Sequence, residues 1–181
     1  MKAVFLDRDG VLNEAIVRDG KPYAPETLDE LVITPGAGGA LAALRRHGYR
    51  LIVVTNQPDI ARGKVSQEVV ETINRYICSV LPIDAVEMCA HDDSDRCDCR
   101  KPQPGMLIRA ARRDGIDLSA SFMVGDRWRD MEAGRRASCR TVLIRSGYDN
   151  ESKGLPDVAV TSLVEAADWI IRQEDYGRSV R

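Results

Sequence analysis

Hydrophobic and polar positions follow two alternating periods along this chain. Short apolar runs read as buried strands: Ala3-Val4-Phe5-Leu6, Tyr49 to Val54, Ala85 to Met88, Phe122-Met123-Val124, Thr141 to Ile144 and Val158-Ala159-Val160. Between them, apolar residues recur at helical spacing. Gly36 to His47 carries Leu41 and Leu44 and is closed by Gly48. Ser66 is placed to cap a helix with Val69, Val70, Ile73 and Ile77 on one face. Pro104 to Asp114 has the stripe Met106, Leu107, Ala110 and Ala111. A short helix is expected up to Ala137, and a last one over Leu163 to Ile171. Residues 13 to 35 show neither period. With Asp19-Gly20, Pro22, Pro25 and Pro35 as breakers they read as one long loop, a length that is usually functional. Strands alternating with helices predict a parallel sheet with right-handed crossovers, hence an α/β fold. No internal repeat is visible. A single domain is expected over residues 1–175, with a polar tail over 176–181 that frays after Gln173.

The polar residues that stop these strands carry the chemistry. The first strand ends on Asp7-Arg8-Asp9-Gly10, the second on Thr55-Asn56-Gln57, and a later one on Gly125-Asp126. Ligands of open α/β sheets bind beyond the carboxyl ends of the strands. Carboxylates there can hold a hard cation such as Mg²⁺, and an Asp can attack phosphorus. Lys101 precedes a helix in Arg100-Lys101-Pro102-Gln103-Pro104-Gly105-Met106 and supplies an ammonium. A phosphoryl group in transfer spreads charge over three oxygens and needs such positive charge around it. Taken singly, each residue has a plainer reading: an Asx-type turn for Asp7-Arg8-Asp9-Gly10, a solvated charge for Lys101, a helix cap for Asp126.

Composition narrows the class. The chain has 181 residues, 26 Lys and Arg against 28 Asp and Glu, and a formal charge of −2. It therefore has no basic excess for nucleic acid, and its few aromatics offer no stacking platform. No apolar run reaches a membrane span, and Asp7 and Arg8 interrupt the only stretch that could serve as a signal peptide. A cytoplasmic monomer acting on a small molecule is expected. In a reducing compartment the five cysteines are thiols or metal ligands rather than disulfides. Cys89-Ala90-His91 and Cys97-Asp98-Cys99 form two close pairs, which can wrap tetrahedrally around a structural zinc ion. Cys78 and Cys139 are expected to pack, and His47 to sit at a helix end without special role.

In this order, Asp7-x-Asp9, Thr55, Lys101 and Gly125-Asp126 with Asp130 resemble the four motifs of the haloacid dehalogenase (HAD) superfamily of phosphohydrolases. The resemblance runs from Met1 to about Tyr148. It implies a Rossmann-like three-layer α/β/α sandwich with the first strand central and no separate cap domain. It also implies Asp7 as nucleophile, Asp9 as general acid and base, and Thr55 and Lys101 as stabilisers of the phosphoryl group. Mg²⁺ would be held by the Asp7 and Asp126 carboxylates and the Asp9 backbone carbonyl. The cysteine loop leading into Arg100-Lys101-Pro102 is similar to the branch containing the heptose 1,7-bisphosphate phosphatases and the histidinol-phosphate phosphatases. That branch implies zinc on Cys89, His91, Cys97 and Cys99, and substrate contacts from Asn56, Arg100 and Arg127. A heptose bisphosphate, on the route to surface polysaccharide such as lipopolysaccharide, is the expected substrate, with histidinol phosphate second. An inactive zinc-stabilised binding protein of the same fold is the rival from another class. Residues 13–35, 59–65 and the cysteine loop would shape the pocket. Three departures bear on the substrate: only five residues between His91 and Cys97, Pro58-Asp59 after Asn56-Gln57, and Arg127 where lysine is usual.

Overall fold

The computed structural model describes residues 1–148 and 155–179. Six parallel strands form the central sheet: β1 (Lys2–Leu6), β4 (Tyr49–Asn56), β5 (Ala85–Cys89), β6 (Phe122–Gly125), β7 (Arg140–Ile144) and β8 (Val158–Val160). Their spatial order is β5-β4-β1-β6-β7-β8. The chain therefore steps outward on one side of β1, returns across it, and steps outward on the other. Leu6 lies beside Val53 of β4 and Val124 of β6, so the residues that follow all three strands emerge together. That is the crevice where α/β sheets bind ligands.

Strand alternation divides the core into two halves. Val4 and Leu6 of β1, with Leu51, Val53 and Val124, pack under α1 (Ala37–Arg46), α3 (Gln67–Val80) and α6 (Leu163–Ser179). Ala3 and Phe5, with Ile52, Val54 and Met123, pack under α4 (Gly105–Asp114) and α5 (Trp128–Arg136). Each face of the sheet buries a row of apolar side chains against helices, which gives the three layers. Ser66 caps α3 as expected, its hydroxyl accepting from the Val69 N–H at 3.3 Å.

Three local expectations are corrected. Residues 13–35 are not a plain loop. They hold an antiparallel hairpin, β2 (Ile16–Arg18) and β3 (Lys21–Tyr23), turning at Asp19-Gly20, with Pro22 tolerated because a two-stranded ribbon is all edge. The last helix runs on past Ile171 to Ser179, since residues such as Arg172, Gln173 and Glu174 propagate a helix without an apolar stripe; residues 180 and 181 lie outside the described residues. Cys78 is exposed on α3 rather than packed, whereas Cys139 is buried. His47 sits at the end of α1 with Nδ1 2.9 Å from the Ala43 carbonyl oxygen. A short helix, α2 (Pro58–Ala61), follows β4.

Candidate active site

At the end of β1 the chain tightens at once: the Arg8 carbonyl oxygen accepts from the N–H groups of Val11, Leu12 and Asn13. This turn leaves Asp7 and Asp9 on opposite sides of Arg8. Gly10 has φ +87, and a Cβ there would overlap the Asp126 carboxylate and the Tyr148 hydroxyl, so only glycine fits. Lys101 is buried against Asp7. Its Nζ lies 2.8 Å from Asp7 Oδ1, 2.6 Å from Asp130 Oδ1 and 2.7 Å from the Val54 carbonyl oxygen. These three acceptors use the three donors of an ammonium. Asp130 is held in turn, since its Oδ2 accepts from the Arg127 N–H at 3.1 Å and closes the first turn of α5.

The electrostatics follow from burial. Burial pushes Asp7 up to about 6, with the neighbouring carboxylates adding to it and Lys101 opposing. Asp126 is pushed well above the usual range by burial and by repulsion from Asp7 and Asp130. Burial opposes the Lys101 charge, but Asp130 and Asp7 outweigh it and the pKa rises. Asp9 goes the other way. Burial works against its charge, yet the Arg8 guanidinium and hydrogen bonds from Asn13 and Gln57 hold it below the ordinary carboxylate value.

Asp7, Asp126 and Asp130 each offer an oxygen to a cluster whose atoms lie within 4.8 Å of one another. Asp130 is already engaged on both oxygens. Asp126 is not: Tyr148 donates to its Oδ2, but its buried Oδ1 has no hydrogen-bond partner, the Arg127 Nε being 3.9 Å away. A buried carboxylate oxygen without a donor, in a site already too negative, fits a hard divalent cation. The Asp9 carboxylate does not join this cluster; its oxygens accept from Arg8, Asn13 and Gln57.

The Cys/His loop also closes as expected. Cys89, Cys97 and Cys99 Sγ and His91 Nδ1 stand 3.0 to 3.6 Å apart along five of their six edges. A tetrahedron around zinc has edges of about 3.8 Å for sulfur ligands at about 2.3 Å. Four soft donors held this close fit such an ion.

A cavity of about 290 Å³ opens over Asp7, Asp9, Lys101 and Asp130. Pro22, Tyr23 and Ala24 wall one side, Asp59 and Arg62 another, and Arg100, Arg127 and Arg129 a third. Two of the three expected loops thus reach it, and the cysteine loop does so only through Arg100, the residue that follows Cys99. Asn56 lines it too, but its amide is tied to the Lys101 backbone, donating to the carbonyl and accepting from the N–H at 3.0 Å each. Thr55 is fully buried behind the wall and accepts from Gln57 Nε2 at 2.8 Å. Several members were not singled out from the sequence. Arg8 is wholly buried, paired with Asp9 at 3.1 Å and donating to Asn74 Oδ1 at 2.9 Å. Gln57 spans Asp9 and Thr55, and Tyr148 holds Asp126.

This geometry has known counterparts. A family model described as "HAD-hyrolase-like" matches residues 98–166. A D-glycero-beta-D-manno-heptose-1,7-bisphosphate 7-phosphatase from Pseudomonas aeruginosa is 37% identical over 84% of this chain and 86% of its own. The chain belongs to the HAD-like hydrolases. Among members of this family, the D-glycero-D-manno-heptose-1,7-bisphosphate 7-phosphatase of Chlorobaculum tepidum is 38% identical over 98% of both chains. In three dimensions the chain is similar to a D,D-heptose 1,7-bisphosphate phosphatase from B. bronchiseptica, crystallised with magnesium and phosphate. That likeness has a TM-score of 0.82 and 31% identity, covering 96% of this chain and 99% of the other. Among the described residues of this HAD-like hydrolase, no helix is long and apolar enough to cross a membrane.

Proposed function

We propose that this protein is a Mg²⁺-dependent phosphomonoesterase that removes the 7-phosphate of D-glycero-D-manno-heptose 1,7-bisphosphate. The observation that carries the chemistry is the Asp7–Lys101–Asp130 chain beside the unpartnered oxygen of Asp126. The substrate reading rests on the relatives with 36 to 38% identity, which share that activity by name.

Asp7 attacks phosphorus, and the bond from phosphorus to the C7 oxygen breaks, leaving an aspartyl-phosphate and an alkoxide that takes a proton by way of Asp9. Water then attacks the aspartyl-phosphate, gives its proton to Asp9, and releases phosphate and Asp7. Arg8, Asn13 and Gln57 hold Asp9 ionised, which favours the second of its two tasks. Lys101 lies against Asp7 Oδ1, where its charge meets the phosphoryl oxygens. Thr55 acts through Gln57, and Asn56 fixes the Lys101 backbone as well as facing the cavity. Asp7, Asp126 and the Asp9 carbonyl oxygen would hold a Mg²⁺ ion, which would supply positive charge against the phosphoryl oxygens. Cys89, His91, Cys97 and Cys99 would hold a zinc ion, which would fix the loop that delivers Arg100 and Lys101. Arg100 and Arg127 contact the substrate. The protein works in the reducing cytoplasm as a monomer on a small sugar phosphate.

The test is phosphate release with Mg²⁺ from heptose 1,7-bisphosphate, histidinol phosphate and an aryl phosphate. A strong preference for the heptose bisphosphate is expected. Preference for histidinol phosphate overturns the substrate and keeps the mechanism, and release from none overturns both.

A further inference from the structure

Two arginines in the cavity wall come from separate parts of the chain yet reach the same atom. Arg100 follows the Cys/His loop, and Arg129 lies in the first turn of α5. Their guanidinium groups sit 2.8 and 2.9 Å from one oxygen, Oδ1 of Asp93. Two cations that close repel unless an anion stands between them. Asp93 is held in place by its own loop. The Asp93 N–H donates to Asp92 Oδ1 at 2.8 Å, the Asp92 N–H donates to Asp95 Oδ2 at 2.8 Å, and Asp92 is itself paired to Arg62 at 2.7 Å. Arg129 is further backed by the Trp128 ring, 5.2 Å from its guanidinium carbon.

We propose that Arg129 joins Arg100 in binding the second phosphate of the substrate, and that Asp93 occupies the place of that phosphate until the substrate displaces it. This rests on the bisphosphate reading above. The Asp93 side chain is 59% exposed, so it can swing into solvent when a stronger anion arrives. A phosphate group brings more charge and three acceptor oxygens, which suit two guanidinium forks better than one carboxylate oxygen does. Both arginines line the same cavity as Asp7 and Lys101, so one molecule can present a phosphate to each end.

The experiment compares kcat/KM for heptose 1,7-bisphosphate with kcat/KM for an aryl monophosphate in wild type, R129Q and D93N, each checked for unchanged far-UV dichroism. In R129Q the ratio should fall roughly tenfold or more, through KM for the bisphosphate, because a charged hydrogen-bond partner is lost. An unchanged ratio overturns the role of Arg129. In D93N the KM for the bisphosphate should fall, because the competing carboxylate is gone; a rise overturns the stand-in role. If wild type shows no preference for the bisphosphate, the substrate reading fails and takes this proposal with it. If wild type prefers it and R129Q retains the ratio, only this proposal fails.

Discussion

Replacing Asp130 with Asn tests the central claim about how Lys101 is held. The Asp130 Oδ1 faces the Lys101 ammonium at 2.6 Å and Oδ2 faces the Arg127 N–H at 3.1 Å, and both side chains of the Asp130–Lys101 pair are almost wholly buried. An amide has one oxygen and one NH₂, so either way round it turns a donor toward a donor. It also leaves the buried ammonium with Asp7 as its one charged partner. Removing one partner of a buried pair costs about 3–5 kcal/mol, but here Asp7 at 2.8 Å and the Val54 carbonyl at 2.7 Å remain. A loss of about 2–3 kcal/mol is therefore expected, which for a chain of this size lowers Tm by about 4–12 °C. Urea unfolding followed by circular dichroism, without divalent metal, measures it. Turnover should fall as well, since Lys101 is drawn onto the nucleophile. A loss below about 0.5 kcal/mol in D130N would refute the claim that Asp130 positions Lys101.

Three further outcomes follow from the same geometry. Tyr148→Phe removes the donor on Asp126 Oδ2 and should weaken Mg²⁺ binding about tenfold, read as a shift in the Mg²⁺ titration of melting temperature; an unchanged midpoint refutes it. Asp7 in the metal-free protein titrates near 6 against an ordinary 3.8, so the folded state holds more protons than the unfolded chain between those values. The Asp7 contribution to metal-free stability is thus full below about pH 4 and lost as pH rises through about 6, whereas Mg²⁺ needs the ionised carboxylate. The gain in Tm on adding Mg²⁺ should therefore be larger at pH 8 than at pH 5, and equal gains would contradict the assignment. Metal analysis should find about one zinc per chain. After a strong chelator has removed zinc and excess Mg²⁺ has been restored, Tm and activity should both stay low, because Lys101 follows Cys99 by two residues; a zinc-free protein with full activity in Mg²⁺ would reject the loop's role.

Much of the site was legible because its chemistry stands at strand ends. Asp7, Asp126 and Thr55 follow apolar runs that could only be buried strands, and the Cys/His loop announces itself by spacing within eleven residues. The partners that tune these groups were not legible. Arg8 looks like any solvated arginine until Asn74, distant in the chain, meets it inside the core. Gln57 and Tyr148 are ordinary residues whose roles depend on what the sheet places opposite them. The hairpin was hidden because three-residue strands with Pro22 in one of them leave no usable period. Asp130 was visible as part of a motif, but its grip on Lys101 depends on long-range packing between α5 and the segment before α4.

The order β5-β4-β1-β6-β7-β8 has a consequence for how activity returns after unfolding. Asp7, Gln57, Lys101 and Asp126 converge only when β1 has acquired a neighbour on each side, β4 and then β6, both from far later in the chain. Parallel pairings between distant segments form slowly, after local helices. In a refolding experiment, ellipticity should therefore recover ahead of phosphate release, with turnover reporting the moment β6 closes against β1.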